Sequence, residues 1–241
     1  MQYVKPCRPV ILRGAIDDWP AMKRWSRSYF KERFGEREVP AVRSKNGRTY
    51  SATDGVHYEN IRVADYVDLL EPGTPIDLYM VFRVHEVMPE LLDDIIRPIY
   101  CRDASWCRSR FWFAGPDAKG PLHRDLTDNL YAQIVGRKKL IMLDRRLTKM
   151  VERYSILSGV PNYSPVDAEA PDLARYPRFR GAPLAVAEVE PGDLFYIPRL
   201  WWHQVRSIET SLSINFWWAR GPMVAMAKAA ELFQRVRQLR L

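Results

Sequence analysis

The C-terminal half of the chain is built from short apolar segments of strand type that alternate with tight turns. The strand segments are 110–115, 129–135, 138–143, 194–198 and 211–217. Frequent prolines and aromatic residues favour short strands with rigid corners over a helix bundle. Several short strands with closely spaced turns are typical of a double-sheet barrel. The pattern therefore predicts a mainly β fold, a double-stranded β-helix or jelly-roll barrel, with helices at its N-terminal and C-terminal ends.

The length of the chain limits its domain organisation. A chain of 241 residues is long enough for one large domain with a full core and too short for two ample ones. We therefore expect residues 1–241 to form a single domain. Its expected parts are an N-terminal segment of helices and strands over 1–108, a barrel core over 109–220 and a C-terminal helix over 221–241. The proline-rich stretch 144–185 interrupts the core as an irregular insertion, of the kind that often forms a lid or substrate wall.

Composition limits the partners and the compartment of the chain. Its 37 Lys and Arg residues outnumber its 29 Asp and Glu residues, but this excess is spread along the chain and does not by itself indicate nucleic-acid binding. The odd, sparse set Cys7, Cys101 and Cys107 is typical of free thiols in a reducing compartment. The N-terminus lacks an apolar signal core, and no stretch is apolar for 18 residues. We expect a cytoplasmic protein without membrane association.

Two histidines and one aspartate form the strongest candidate site. His123 and Asp125 are two residues apart, so on an extended segment both side chains project from the same face. His203 follows the strand segment 194–198, and a barrel can place it beside the first pair. Two imidazoles and one carboxylate are the ligand set of non-haem Fe(II) oxygenases. The alternative is that the His-x-Asp pair occurs by chance and that His203 is a surface histidine packed among aromatic residues.

Two lysines on the following strand pair offer a positive charge to the same interior. Lys138 and Lys139 precede the apolar run 140–143, where a lysine does not point into the core without a partner. Either both straddle an exposed turn, or one turns inward and pairs with the distal carboxylate of 2-oxoglutarate. Spacing favours Lys138, although strand parity does not exclude Lys139.

Four motifs in order carry a family resemblance that covers nearly the whole chain. This pattern resembles the JmjC (cupin-8-type) oxygenases that depend on Fe(II) and 2-oxoglutarate, such as the asparaginyl hydroxylase of hypoxia-inducible factor and the tRNA wybutosine hydroxylase. The resemblance implies a cupin barrel with Fe(II) as cofactor and with 2-oxoglutarate and O2 as co-substrates. The motifs are 120–125 (GPLHRD), 128–139 (DNLYAQIVGRKK), 191–203 (PGDLFYIPRLWWH) and 214–217 (INFW), preceded by a similar N-terminal segment at 8–14 (RPVILRG).

The resemblance also implies roles for individual residues. The chain has Gly120 where the asparaginyl hydroxylase has a threonine on 2-oxoglutarate, so that contact is absent or supplied elsewhere. That enzyme dimerises through C-terminal helices, which implies a homodimer through the C-terminal helix of this chain. The matched residues are His123, Asp125 and His203 as iron ligands, Lys138 and Tyr79 on the C5 carboxylate of 2-oxoglutarate, and Asn129 and Asn215 as polar groups lining the co-substrate cavity.

The resulting prediction is a dioxygenase that hydroxylates a C–H bond of a peptide, protein or amino-acid-derived small-molecule substrate, with succinate and CO2 as co-products. Alternatives within the family are hydroxylation of a tRNA base and N-demethylation. An alternative of another class is a non-catalytic cupin-like barrel that binds a ligand or partner. The presence of His123, Asp125, His203 and Lys138 together argues against it, because a decayed site has no chemical reason to keep all four.

Overall fold

The computed structural model describes residues 3–43, 50–51, 55–56, 58–70 and 76–238. Within these residues the chain forms five α-helices and fourteen strands. The helices are α1 (Ala21–Arg24), α2 (Arg27–Phe34), α3 (Val63–Leu69), α4 (Val84–Val87) and α5 (Met223–Gln238). The strands are β1 (Val10–Leu12), β2 (Glu38–Arg43), β3 (Tyr50–Ser51), β4 (Gly55–Val56), β5 (Tyr58–Arg62), β6 (Leu78–Arg83), β7 (Trp106–Ala114), β8 (His123–Arg124), β9 (Asp128–Val135), β10 (Lys138–Leu143), β11 (Ala185–Val189), β12 (Leu194–Ile197), β13 (Trp202–Ser207) and β14 (Ser211–Ala219).

Most strands belong to two antiparallel sheets. Eight of them form one sheet in the order β1-β12-β9-β14-β7-β6-β2-β5, and four form a second sheet in the order β11-β10-β13-β8. Strands β3 and β4 pair with each other. Several neighbours within the sheets are far apart in sequence, because β14 pairs with both β7 and β9 while β12 pairs with β9. The predicted mainly β, double-sheet fold is confirmed.

The eight-stranded sheet has two chemically different faces, because side chains alternate along each strand. We call the face that packs against the N-terminal helices the outer face, and the face toward the four-stranded sheet the inner face. Hydrogen bonds from Lys138 of β10 to Tyr79 and Ser213 cross between the two sheets on the inner side. The outer face of β7, β9 and β14 carries Phe111, Phe113, Leu130, Ala132, Ile134, Leu212, Ile214 and Phe216. The inner face carries Arg110, Trp112, Asn129, Tyr131, Gln133, Ser213, Asn215 and Trp217.

The N-terminal helices cover the outer face with an aromatic cluster. Ser26 caps α2, and its Oγ accepts a hydrogen bond from the backbone N–H of Tyr29 at 3.0 Å. The ring of Trp25 packs edge-on against Phe111 of β7, with 5.5 Å between the centroids. The buried Asp94 carboxylate accepts hydrogen bonds from Trp25 Nε1 at 3.0 Å and from the Tyr29 hydroxyl at 2.8 Å. The helices are therefore held on the sheet by both ring packing and a buried acceptor.

One predicted strand differs in its bounds, and a 3₁₀-helix over Pro89–Asp94 follows the separate helix α4. Met88 and Ile95 have non-helical backbone on either side of it. The strand expected over 110–115 begins earlier, at Trp106, because β7 pairs with β14 along its whole length.

The stretch expected as an irregular insertion over 144–185 contains 3₁₀ turns at Arg145–Leu147 and Pro177–Phe179 and no strand before β11 begins at Ala185. The C-terminal helix is present as α5, and 239–241 lie outside the described residues. All three cysteines are free thiols. Among the helices of the described part of the chain, none combines the length and the apolar character that crossing a membrane requires.

Candidate metal centre and co-substrate cavity

Strand pairing brings the two histidines and the aspartate of the sequence motif together. His123 on β8 is the direct cross-strand partner of His203 on β13, and their ring centroids are 4.2 Å apart. Asp125 follows β8, and its Oδ2 lies 3.7 Å from His203 Nε2. One ligand atom from each residue lies within 4.8 Å of the other two. Such a group of two imidazoles and one carboxylate can hold a metal ion while leaving other coordination positions open.

Backbone and side-chain contacts orient these three residues. His123 Nδ1 lies 2.9 Å from the carbonyl oxygen of Pro121, and His203 Nδ1 lies 3.0 Å from that of Trp201. When Nδ1 donates to a carbonyl, Nε2 is left as the unprotonated nitrogen that binds metals. Burial, followed by the neighbouring His123, lowers the pKa of His203 to about 4. The imidazole is therefore neutral at physiological pH, as a metal ligand must be.

A chain of amides connects the aspartate to the inner face of the large sheet. Asn129 Nδ2 donates to Asp125 Oδ2 at 3.0 Å, and Asn129 Oδ1 accepts from Asn215 Nδ2 at 2.8 Å. Asn129 lies on β9 and Asn215 on the adjacent strand β14. Because Asn129 is itself fixed by its hydrogen bond with Asn215, its bond to Oδ2 restrains the rotation of the Asp125 carboxylate.

Lys138 is a wholly buried cation at the far side of the same interior. Its Nζ donates to the Tyr79 hydroxyl at 2.8 Å and to Ser213 Oγ at 3.3 Å, and it lies over the rings of Tyr79 and Tyr131. Its side chain is 0% exposed, and no ion pair to a carboxylate is found for it among the described residues. Burial lowers the pKa of Lys138 to about 7. Lys139 faces elsewhere and pairs with Glu169 at 2.9 Å, which answers the question that strand parity left open.

Residues 1–223 match the cupin-like domain family. The chain belongs to this Cupin-8 (JmjC) domain family. Its relatives include Lysine-specific demethylase 8 of Xenopus tropicalis, which is 32% identical over 221 residues, covering 90% of this chain and 49% of the relative. The match therefore spans about half the length of that relative.

The chain matches a larger share of two human relatives. The Bifunctional peptidase and (3S)-lysyl hydroxylase JMJD7 is 27% identical, with 90% of this chain and 78% of the relative covered. The tRNA wybutosine-synthesizing protein 5 is 29% identical, with 92% and 75% covered.

JmjC oxygenases use Fe(II), 2-oxoglutarate and O2, as predicted for this chain. The chemistry of the site fits this set. The histidines and Asp125 are a donor set suited to Fe(II). The buried charge of Lys138 lacks an anion among the described residues, and a carboxylate of 2-oxoglutarate has the charge that would compensate it. In addition, the buried Asn215 Oδ1 and Trp112 Nε1 make no hydrogen bond within the described part of the protein. A polar ligand in this interior would remove unfavourable burial of polar groups.

One cavity extends from the triad histidines to Tyr79 and Tyr131, the two rings beside Lys138 Nζ. It measures about 110 Å³ and is also lined by Asn129 and Asn215. A second, larger groove of about 240 Å³ shares His123 with this cavity and is lined by Asp125, by Trp217 of β14 and by Glu231 of α5. The triad therefore borders two adjoining spaces.

All seven predicted site residues line or adjoin this interior, although their roles as ligands stay predictions. The sequence analysis did not identify Tyr131 and Ser213. The Tyr131 hydroxyl donates to Ser213 Oγ at 2.7 Å, and Ser213 Oγ also accepts from Lys138. Strand parity offered a signal for both, because Tyr131 lies two residues after Asn129 and Ser213 two residues before Asn215. It also missed Tyr163 of the insertion, whose ring packs 5.5 Å from that of His123.

Proposed function

We propose that residues 1–241 act as one oxygenase domain that hydroxylates a C–H bond of an amino-acid residue in a peptide or protein. 2-Oxoglutarate is the co-substrate, and succinate and CO2 are the co-products. The observation that carries this proposal is one cavity that is lined by the two triad histidines and also by Tyr79 and Tyr131, the residues that adjoin the buried, uncompensated Lys138. The triad can hold a metal ion, and the lysine can bind one carboxylate of a dicarboxylate whose other end lies at that metal.

Each polar residue has a distinct part in this proposal. His123, Asp125 and His203 hold Fe(II), and Asn129 keeps the Asp125 carboxylate oriented through the bond to Oδ2. Lys138 carries the positive charge that binds the C5 carboxylate of 2-oxoglutarate. The lysine is positioned by Tyr79, Tyr131 and Ser213, and Asn215 directs its unbonded Oδ1 to the co-substrate. When bound, iron and 2-oxoglutarate would activate O2, which is the oxidant and gives one oxygen atom to the substrate and one to succinate, a chemistry that the side chains of the protein lack.

The larger groove supports a substrate that is larger than a metabolite. It shares His123 with the smaller cavity, so a peptide can lie in the groove while one side chain reaches the metal centre. Two of the relatives are named for lysine residues, which are parts of proteins. A tRNA base and an N-methyl group remain the alternative substrates, and the mass of the product separates them.

The alternative of a non-catalytic barrel has a physical difficulty. A fully buried lysine without an anionic partner destabilises the folded state, since burial disfavours its charged form. A barrel that binds no anion there would be more stable with an apolar residue at this position. The retained Lys138 therefore favours a site that binds a carboxylate.

Succinate formation tests the proposal directly. Protein purified under nitrogen is given Fe(II), ascorbate, 2-oxoglutarate and O2, with pooled peptides, tRNA or no substrate. We expect succinate from the wild type, none from Asp125→Ala, and wild-type levels from Asp68→Ala, which removes an exposed carboxylate on α3. A gain of one oxygen in the peptide identifies hydroxylation, and loss of a methyl group identifies demethylation. Equal turnover by wild type and Asp125→Ala would refute the assigned site.

Two further properties belong to this proposal. We expect a homodimer through α5, which exposes the apolar side chains of Met226 and Leu232. A monomer in sedimentation experiments at micromolar concentration would contradict it. We also expect the protein to work in the cytoplasm, where the thiols of Cys7, Cys101 and Cys107 stay reduced.

A further inference from the structure

The groove beside the metal centre contains an arginine whose position is unusually well defined. Arg110 lies on the inner face of β7, directly opposite Asn215 of β14. Its guanidinium lies over two indole rings, 5.9 Å from the centroid of Trp112 and 5.4 Å from that of Trp217. Stacking on aromatic faces restrains an arginine while leaving its in-plane N–H donors available. Arg110 is thus held in place without using the groups that recognise anions.

Arg110 also lies close to the reacting centre. It lines both the smaller cavity and the groove, as His123 does. Tyr163 adjoins both Arg110 and His123. Its ring centroid lies 5.5 Å from that of His123. Burial is the main cause that raises the pKa of the Tyr163 hydroxyl, while the charge of Arg110 lowers this pKa and the charge of Asp125 raises it. A group bound by Arg110 would lie next to the substrate atom that faces the metal.

The other three arginines of the groove already have polar partners. Arg83 pairs with Glu86 at 2.9 Å, and Arg108 pairs with Glu231 at 3.1 Å. Arg124 has no carboxylate partner among the described residues, but its Nε donates to Asn162 Oδ1 at 3.2 Å. For Arg110, by contrast, neither an ion pair nor a hydrogen bond is found among the described residues, so all its donors are left for a ligand. One such arginine fits one anionic group better than the repeated phosphates of a nucleic acid, which need several cations in a row.

We propose that Arg110 is a substrate-binding residue that selects an acidic peptide, in which an aspartate or glutamate carboxylate lies beside the oxidised carbon. This inference rests on the proposed function, because it names the substrate class of that same site. The guanidinium fork matches a carboxylate in two parallel hydrogen bonds. The ammonium group of a lysine substrate would meet Arg110 as a like charge. The preference therefore separates this chain from the relatives that are named for lysine.

Affinity selection from two matched peptide pools tests this preference. Both pools contain blocked peptides of equal length, with Asp or Glu at the central position in one and Lys or Arg in the other. Immobilised protein with Fe(II) and 2-oxoglutarate under nitrogen is offered an equimolar mixture, and mass spectrometry measures what is retained. A charge-assisted bidentate contact predicts an enrichment of the acidic pool of about tenfold or more.

Charge variants assign the preference to this residue. We expect Arg110→Gln to retain both pools about equally and Arg110→Glu to favour the basic pool, which also shows that the variant is folded. Arg33→Gln is the matched control, because Arg33 is likewise stacked on two rings, Tyr29 and Phe34, but lies on α2. It should keep the wild-type preference. No preference in the wild type, or an acidic preference that survives Arg110→Glu, would overturn the proposal.

Two further measurements separate this inference from the proposed function and from a nucleic-acid substrate. Succinate formation is followed with each pool. If no succinate forms but the selection inverts in Arg110→Glu, the anion site stands and the proposed function fails. If both pools stimulate succinate equally, the function stands and the acidic preference fails. A single-stranded RNA that displaces the acidic pool at concentrations below that of the pool itself would overturn the choice of a peptide.

Discussion

The two faces of the eight-stranded sheet use the same strands for opposite purposes. On β7, Phe111 packs into an aromatic cluster on the outer face, whereas its neighbours Arg110 and Trp112 line the substrate side on the inner face. The outer face is filled mainly with apolar side chains, although it also buries the unbonded Nε1 of Trp218. The inner face surrounds a cavity and contains a buried lysine without a carboxylate partner among the described residues. The outer face thus stabilises the fold, whereas the buried lysine of the inner face destabilises the protein until the proposed carboxylate binds.

This difference follows from the alternation of side chains along a strand. Changing one residue alters either the core or the site, while its immediate neighbour alters the other. Variants of adjacent residues should therefore separate loss of stability from loss of binding.

Removing a ring from the outer face should cause the largest loss of stability. Phe111 is fully buried and contacts the rings of Trp25, Phe30 and Phe82. We expect Phe111→Ala to lower the free energy of unfolding by about 3–5 kcal/mol, because a large cavity is left in a packed cluster. Urea denaturation measures this value. Trp112→Ala on the same strand, whose side chain is only partly buried, should lower it by less than half as much. Equal losses for the two variants would contradict the division between the faces.

Removing the buried charge from the inner face should weaken ligand binding without lowering the stability of the fold. We expect Lys138→Met to weaken 2-oxoglutarate binding about 10- to 100-fold, because a hydrogen-bonded ion pair is lost. The thermal stability of the ligand-free protein should be unchanged or higher, since an uncompensated buried cation is removed. Calorimetry and thermal melting measure the two quantities. Lys139→Met, which removes the lysine paired with Glu169, is the control and should leave the affinity unchanged.

The affinity for 2-oxoglutarate should fall as pH rises above about 7. Burial lowers the pKa of Lys138 to about 7, so the free protein loses this proton above that pH. Binding a carboxylate favours the charged lysine, and the complex must take up a proton. From pH 6.5 to 8.5 we expect about a 25-fold loss of affinity, because the protonated fraction of a free lysine with a pKa of about 7 falls from about three-quarters to about 3%. Calorimetry in buffers of different ionisation enthalpy detects the uptake. The decline should be absent in Lys138→Arg, because arginine does not titrate in this range.

The sequence carried enough information for the double-sheet fold and for most of the candidate site. Local spacing identified His123 and Asp125, and resemblance to a family added the cavity residues Tyr79, Asn129 and Asn215. Tyr131 and Ser213 were accessible in principle, because each lies two residues from a predicted site residue on the same strand face.

Other features depend on contacts that no local pattern contains. The stacking of Arg110 on Trp112 and Trp217 requires the register between β7 and β14, which pairs residues far apart in the chain. The same pairing extends β7 back to Trp106 beyond its apolar run. Whether a buried charge is compensated depends in the same way on several strands at once, so the isolation of Lys138 became visible only in the folded chain.

The most direct test of the account is a titration of iron and 2-oxoglutarate under nitrogen, with wild type, Asp125→Ala and Lys138→Met compared. The metal and the distal carboxylate are proposed to lie at opposite ends of one cavity, so each variant should lose a different binding partner. Wild type should bind one equivalent of each. Asp125→Ala should lose iron, whereas Lys138→Met should keep iron and lose affinity for 2-oxoglutarate. Iron retained by Asp125→Ala, or wild-type affinity for 2-oxoglutarate in Lys138→Met, would contradict the account.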